Sequence, residues 1–142
     1  MDDMGMAARN ETLAADVTRA FFAAMVEGDV ERASALLDDK CVIDTAGGLP
    51  FSGIFVGREG FRKFLRGIPS ELSSSLHDVN VVGIDDLAVA RLNVRFEARK
   101  TGASIEVAVV ELHTVVDHRI VAVDAYYKNA TMIRSLVEEG AV

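Results

Sequence analysis

The segment from Ser104 to Val116 constrains this chain most, because its pattern fits a strand that is covered on both sides. Period-two alternation puts six side chains on one face: Ile105, Val107, Val109, Glu111, His113 and Val115. Between Val107 and Leu112 the opposite face is apolar as well, so both faces should be covered. An acid within such a run is costly unless it is paired, hydrogen-bonded or neutral. Glu111 is therefore the residue to explain.

The composition excludes several classes of protein. The chain has 142 residues, which suits one domain with its own core. Its net charge is −7 and it has no basic run, so no nucleic-acid partner is expected. No apolar run reaches the roughly 18 residues of a membrane span, and the N-terminus lacks the apolar core of a signal peptide. A single cysteine, Cys41, suits a reducing compartment, so we expect a soluble cytoplasmic domain.

Three amphipathic helices are predicted ahead of the long strands. Residues 1–9 read as a flexible tail, and Asn10 is a suitable N-cap for the first helix. A second, shorter helix begins at Asp29, and the third ends before Pro69. The apolar face of the first helix is predicted to consist of Leu13, Val17, Phe21 and Met25.

The pattern then changes from a helical period to a period of two. A short strand is expected at 41–45, and longer ones follow at 76–82, 88–98 and 104–116, with a turn at 117–119 before the last strand. Helices followed by a meander of long strands indicate an α+β plan, with a curved, mainly antiparallel sheet wrapped around three N-terminal helices.

Several local strings, in this order, resemble a known family. They are AAMVEGDVERASALLDD at the first helix pair, GREGFRKFL at the third helix and DHRIVAVDAYYKNA at the last strand. The chain resembles the SnoaL-like polyketide cyclases and ketosteroid isomerases of the nuclear transport factor 2-like superfamily, over residues 11–136. The resemblance implies one domain, residues 10–142, folded as a cone-shaped α+β barrel around an apolar pocket. That fold hosts enzymes, binders and transport adaptors.

The resemblance also assigns roles to residues. Asp44 matches the general base of ketosteroid isomerases, and Glu111 matches the acid that those enzymes keep protonated to bind the oxyanion. Phe21 stands where they have a donor Tyr, and phenylalanine cannot donate a hydrogen bond. Leu92 and Val94 stand where related epoxide hydrolases have Arg and Asp, so that chemistry is not expected. The pocket wall would include Phe21, Phe61, Val123, Ala125 and Tyr127.

Each polar candidate also has a structural interpretation. The structural interpretation of Asp44 is a cap of its own turn at a strand end, a common position for aspartate. For Glu111 and His113 it is a polar pair that satisfies itself in the core or at a dimer face. The functional alternatives for His113 are a general acid, an oxyanion donor or the group that orients Glu111. Asp44, Glu111 and His113 lack the close spacing of a metal site, so no metal is expected. No phosphate-binding glycine loop is present, so no cofactor is expected.

Together these observations predict a cofactor-free isomerase or cyclase for a small apolar carbonyl compound. Asp44 would remove a proton alpha to the carbonyl, while protonated Glu111 and His113 would stabilise the oxyanion. The alternative is a non-catalytic module that binds an apolar ligand or forms a dimeric interaction surface. In either case a homodimer is expected through the second face of the central strand, whose apolar residues are Ala108, Val110, Leu112 and Val116.

Overall fold

A computed structural model describes residues 12–45 and 47–141 of the chain. The tail predicted at residues 1–9 and the N-cap predicted at Asn10 both lie outside the described residues. The elements in chain order are α1 Leu13–Val26, α2 Val30–Ala35, β1 Leu37–Thr45, β2 Gly53–Val56, α3 Gly57–Arg66, β3 Leu72–Ile84, β4 Leu87–Ala98, β5 Ser104–Val116, β6 Arg119–Tyr127 and α4 Ala130–Ala141.

The strands form one six-stranded sheet in the order β2-β1-β6-β5-β4-β3. Every neighbouring pair is antiparallel except β1 and β6, which run parallel. The α+β class and the mainly antiparallel sheet are therefore as predicted. The curved sheet remains open, since its edge strands β2 and β3 do not pair with each other. The barrel of the prediction is thus an incomplete one.

The first helix begins later than its sequence pattern predicts, and one residue of its predicted apolar face is exposed. Thr12 is the N-cap, because it is extended and its hydroxyl accepts a hydrogen bond from the Ala15 N–H at 3.1 Å. Leu13 is 45% exposed, so the prediction that it belongs to the apolar face is wrong. The helix packs on β3, β4 and β5, and its buried residues are Ala14, Ala15, Val17, Thr18, Phe21, Phe22 and Ala24.

The hairpin between β5 and β6 fixes which side chains face the helices. Asp117 and His118 both have positive φ, of 51° and 66°, as a two-residue turn that matches the strand twist requires. The odd-numbered residues of β5 from Val107 to Val115 point to the helices, as the alternation predicts. On the opposite side, here called the outer face, Val110 is 38% and Val116 48% exposed. The chain itself therefore leaves the outer face of β5 partly uncovered.

Candidate functional site

A cavity of about 100 Å³ lies between the helices and the inner face of the sheet. Six phenylalanines line it: Phe21, Phe22, Phe51, Phe61, Phe64 and Phe96. Within the described part of the chain, its polar lining comes from Thr45, Ser74, Glu111 and Tyr127. The cavity is thus an apolar chamber in which Glu111 is the one carboxyl group among the lining residues.

Glu111 is held against the cavity wall by a histidine on the same strand. Its Oε1 lies 2.8 Å from Nε2 of His113, and its side chain retains 15% exposure. Its other carboxylate oxygen, Oε2, has no hydrogen-bond partner among residues 12–45 and 47–141, and it is not sealed from solvent. One oxygen is therefore fixed by the protein and the other is available to a ligand.

His113 is completely buried, yet both of its ring nitrogens have partners. Nδ1 lies 3.3 Å from the hydroxyl oxygen of Thr18 on α1, and Nε2 faces Glu111. The rings of Phe22 and Phe21 enclose the imidazole, the first stacked at 5.5 Å and the second edge-on at 5.6 Å. Because a buried polar group without a partner is costly, the two hydrogen bonds explain how a histidine tolerates this position.

Thr18 is the site residue that the sequence interpretation missed. With Phe21 and Phe22 it occupies positions i, i+3 and i+4, so all three lie on one face of α1 and surround His113. The sequence does contain a signal for this role. Thr18 is a polar residue four positions from Ala14 and four from Phe22, on a helix face that is otherwise apolar. Its partner lies 95 residues away along the chain.

Tyr127 is the second polar group that faces the cavity from the sheet. Val109 pairs with Tyr127 and Glu111 with Ala125, so Glu111 and Tyr127 are diagonal neighbours across β5 and β6. Burial, and secondarily the charge of Glu111, raise the pKa of Tyr127 well above its usual value of 10. Tyr127 is therefore a neutral phenol at physiological pH, able to donate a hydrogen bond.

The prediction that Asp44 shares this cavity is wrong. On β1 the residues Cys41, Ile43 and Thr45 are buried, whereas Asp44 is exposed. Successive residues of a strand point to opposite sides, so Asp44 and Glu111 lie on opposite faces of the sheet. Asp44 pairs in register with Asp124, which is also exposed. Its place in the cavity wall is taken by Thr45, whose hydroxyl is hydrogen-bonded to the backbone of Gly53.

The remaining pocket candidates lie where the resemblance places them. Phe21, Phe61, Val123, Ala125 and Tyr127 all line the cavity. So do Leu92 and Val94, which are buried apolar residues at the positions where an epoxide hydrolase would have its Arg and Asp. Their role in binding a substrate stays a prediction.

Among the described residues there is no group of three or more His, Cys, Asp or Glu side chains that could hold a metal ion. No helix in this part of the chain is long and apolar enough to cross a membrane. Burial, with a smaller contribution from Asp38, raises the pKa of the Cys41 thiol to about 11, so it is a protonated core residue at neutral pH.

Solved structures with the same fold include proteins of several descriptions. An NTF2-like protein of unknown function from Burkholderia pseudomallei is 19% identical, with a TM-score of 0.78, covering 88% of this chain and 98% of the other. TerC, co-crystallised with polyporic acid, is 16% identical, with a TM-score of 0.78 over 89% and 99% of the two chains. A candidate polyketide cyclase from Xanthomonas campestris is 22% identical, with a TM-score of 0.76 over 89% and 98%.

Family membership follows from the sequence. A search of curated proteins finds no significant match to this chain. The family model of the SnoaL-like domain matches residues 18–123, which begin at Thr18 and include Glu111, His113 and Val123. The chain belongs to the SnoaL-like domain family.

Proposed function

We propose that this protein binds a small apolar carbonyl compound and moves a proton on it without a cofactor, as an isomerase or a cyclase does. Glu111 takes the role of base that the resemblance assigned to Asp44. The observation that carries the proposal is a carboxylate in the wall of an apolar cavity, held on one oxygen by a fully buried histidine. Such an arrangement is typical of a positioned general base.

The proposed reaction uses two side chains, Glu111 and Tyr127. Oε2 of Glu111 removes a proton from the carbon alpha to the carbonyl, and the electron pair of the C–H bond moves to the carbonyl oxygen as an enolate. The Tyr127 hydroxyl donates a hydrogen bond to that oxygen, since its proton is firmly held. Return of the proton to a different carbon completes an isomerisation. In a cyclisation the enolate carbon instead attacks a second carbonyl of the same molecule, forming the C–C bond, and the proton held by Glu111 passes to the resulting alkoxide.

The cavity also limits the ligand. Its volume of about 100 Å³ is smaller than the roughly 150 Å³ of a protein cavity that binds benzene, so the cavity has room for no more than about one ring. Phenylalanine walls favour a flat, unsaturated ring that can make edge and face contacts. We therefore propose a substrate whose reacting part is a single conjugated ring.

The proposal is tested by proton exchange on a model ketone. 2-Cyclohexenone is incubated with the protein in D₂O, and loss of its alpha-proton signals is followed by ¹H NMR. Glu111→Gln should slow exchange at least about 100-fold, the lower end of what a general base contributes. Asp44→Asn is the matched control and should exchange at the wild-type rate, because Asp44 lies on the other face of the sheet. Equal rates for the wild type and Glu111→Gln would refute the role of Glu111.

A non-catalytic binder is the second candidate function. Phe21 supports it, because this cavity-lining position offers a ring without a donor. In that case the ketone binds, seen as line broadening of its signals, but neither the wild type nor any variant exchanges its protons.

A further inference from the structure

We propose that Thr18 is a positioning residue of this site: its hydroxyl fixes the orientation of His113, and His113 in turn aims Glu111 at the ligand. The inference rests on the proposed function of Glu111 as the base. Thr18 contacts no ligand in this scheme, since it is not among the residues that line the cavity and its side chain is bonded to His113.

With Glu111 ionised, as the proposed base requires, and with a neutral imidazole, the hydrogen bonds have one consistent direction. An ionised carboxylate only accepts hydrogen bonds, so Nε2 of His113 carries the proton that lies between it and Oε1 of Glu111, 2.8 Å away. A neutral imidazole has a single ring proton, so Nδ1 is then an acceptor. The Thr18 hydroxyl, 3.3 Å from Nδ1, must be the donor.

The aromatic neighbours alone cannot select this orientation. Phe21 and Phe22 pack on the imidazole, but a phenyl ring has no hydrogen-bonding side-chain group that would distinguish the nitrogen edge of the imidazole from its carbon edge. Thr18 is the polar contact that distinguishes Nδ1 from the carbon on the opposite edge of the ring. Without it, a fully buried ring nitrogen would face an apolar helix, and a flipped or tilted imidazole would no longer direct Nε2–H at Glu111.

Two substitutions separate the effect of the Thr18 hydroxyl from the effect of the side-chain volume. Thr18→Val keeps the volume and removes the donor, whereas Thr18→Ser keeps the donor and removes a methyl group. Ser34→Ala is the matched control for loss of a buried hydroxyl, because Ser34 is 2% exposed and donates to the Glu31 carbonyl on α2. If Thr18→Val does not fold, Thr18→Ala serves in the same comparison.

The first measurement does not depend on activity. Long-range ¹H–¹⁵N spectra of the His113 ring should show a protonated Nε2 and a hydrogen-bonded, unprotonated Nδ1 in the wild type. In Thr18→Val the Nδ1 signal should move downfield as its hydrogen bond is lost, while in Thr18→Ser and Ser34→Ala it should stay. An unchanged Nδ1 signal in Thr18→Val overturns the proposal, whatever the exchange rates are.

The second measurement is the cyclohexenone exchange reaction. Thr18→Val should lower kcat about fivefold to tenfold, the value of one buried neutral hydrogen bond, and leave KM nearly unchanged. Thr18→Ser should restore most of the rate. If Thr18→Ser is as slow as Thr18→Val, packing explains the effect and the positioning role is refuted. If the wild type exchanges no protons while the Nδ1 signal still responds to Thr18→Val, Glu111 is not a base and its proposed function fails, but the Thr18–His113 contact stands.

Discussion

Glu111→Leu should destabilise the fold although it replaces an acid with an apolar residue in an apolar cavity. The substitution leaves the Nε2–H of His113 without its acceptor, at a position with no exposure to solvent. A stranded buried donor costs about 1–3 kcal/mol. Leucine recovers up to about 1 kcal/mol through its added apolar contacts. The free energy of unfolding should therefore fall by about 1–2 kcal/mol.

The measurement is urea unfolding followed by circular dichroism. With a denaturant slope of about 2 kcal/mol/M for a domain of this size, the midpoint should fall by roughly 0.5–1 M. Glu111→Gln keeps an oxygen that can accept from His113, so its midpoint should move by less than half as much. The pair Glu111→Leu with His113→Leu should be less destabilised than the sum of the single variants, because replacing both partners leaves no stranded donor.

Whether Glu111→Leu lowers or raises the free energy of unfolding decides between two explanations of the buried pair. If Glu111→Leu is as stable as the wild type or more so, the bond to His113 contributes nothing net, and Glu111 is retained at a cost to stability. That outcome would refute the reasoning that the pair satisfies itself.

Three further predictions follow from other parts of the molecule. Leu112→Asp should convert a homodimer into a monomer in light scattering, because it places a charge in the centre of the apolar outer face; a monomeric mass for the unmodified protein would rule out the dimer. Because burial and then Glu111 raise the pKa of Tyr127, the unfolded chain loses that proton first, so stability should fall as pH rises above about 10. Tyr127→Phe should remove that part of the pH dependence in urea titrations. Gly57→Ala should lower the thermal midpoint by several degrees, since φ is +71° and a Cβ would collide with the Asp39 carbonyl; Gly47→Ala, which meets nothing, should change it little.

The homodimer stays a prediction. The charged residues of the outer face indicate which contacts should stabilise it. The outer face carries exposed Asp44 and Asp124 side by side on β1 and β6, and exposed Arg91 and Arg95 on β4. A twofold partner that offers the same face can set its basic side against this acidic side. Charge reversal of Arg91 should therefore weaken the dimer, and this effect should diminish at high salt.

Local patterns alone determined much of this protein. Alternation along β5 is a property of the extended backbone itself, so it placed Glu111 and His113 together on the inner face without any knowledge of the fold. The turn at Asp117 and His118 and the cap at Asp29 were likewise recognisable, because the chemistry that makes them acts between neighbouring residues.

Tertiary structure decided what neighbouring residues could not. On β1 both Val42 and Ile43 are apolar, so alternation alone left open which face holds Asp44, and the packing of Cys41, Ile43 and Thr45 against the helices settled it. The parallel pairing of β1 with β6 joins segments about 80 residues apart, and no local pattern encodes it. The contact between Thr18 and His113 has the same origin. The local sequence around either residue does not indicate its partner, and only the packing of α1 on β5 brings the two side chains together.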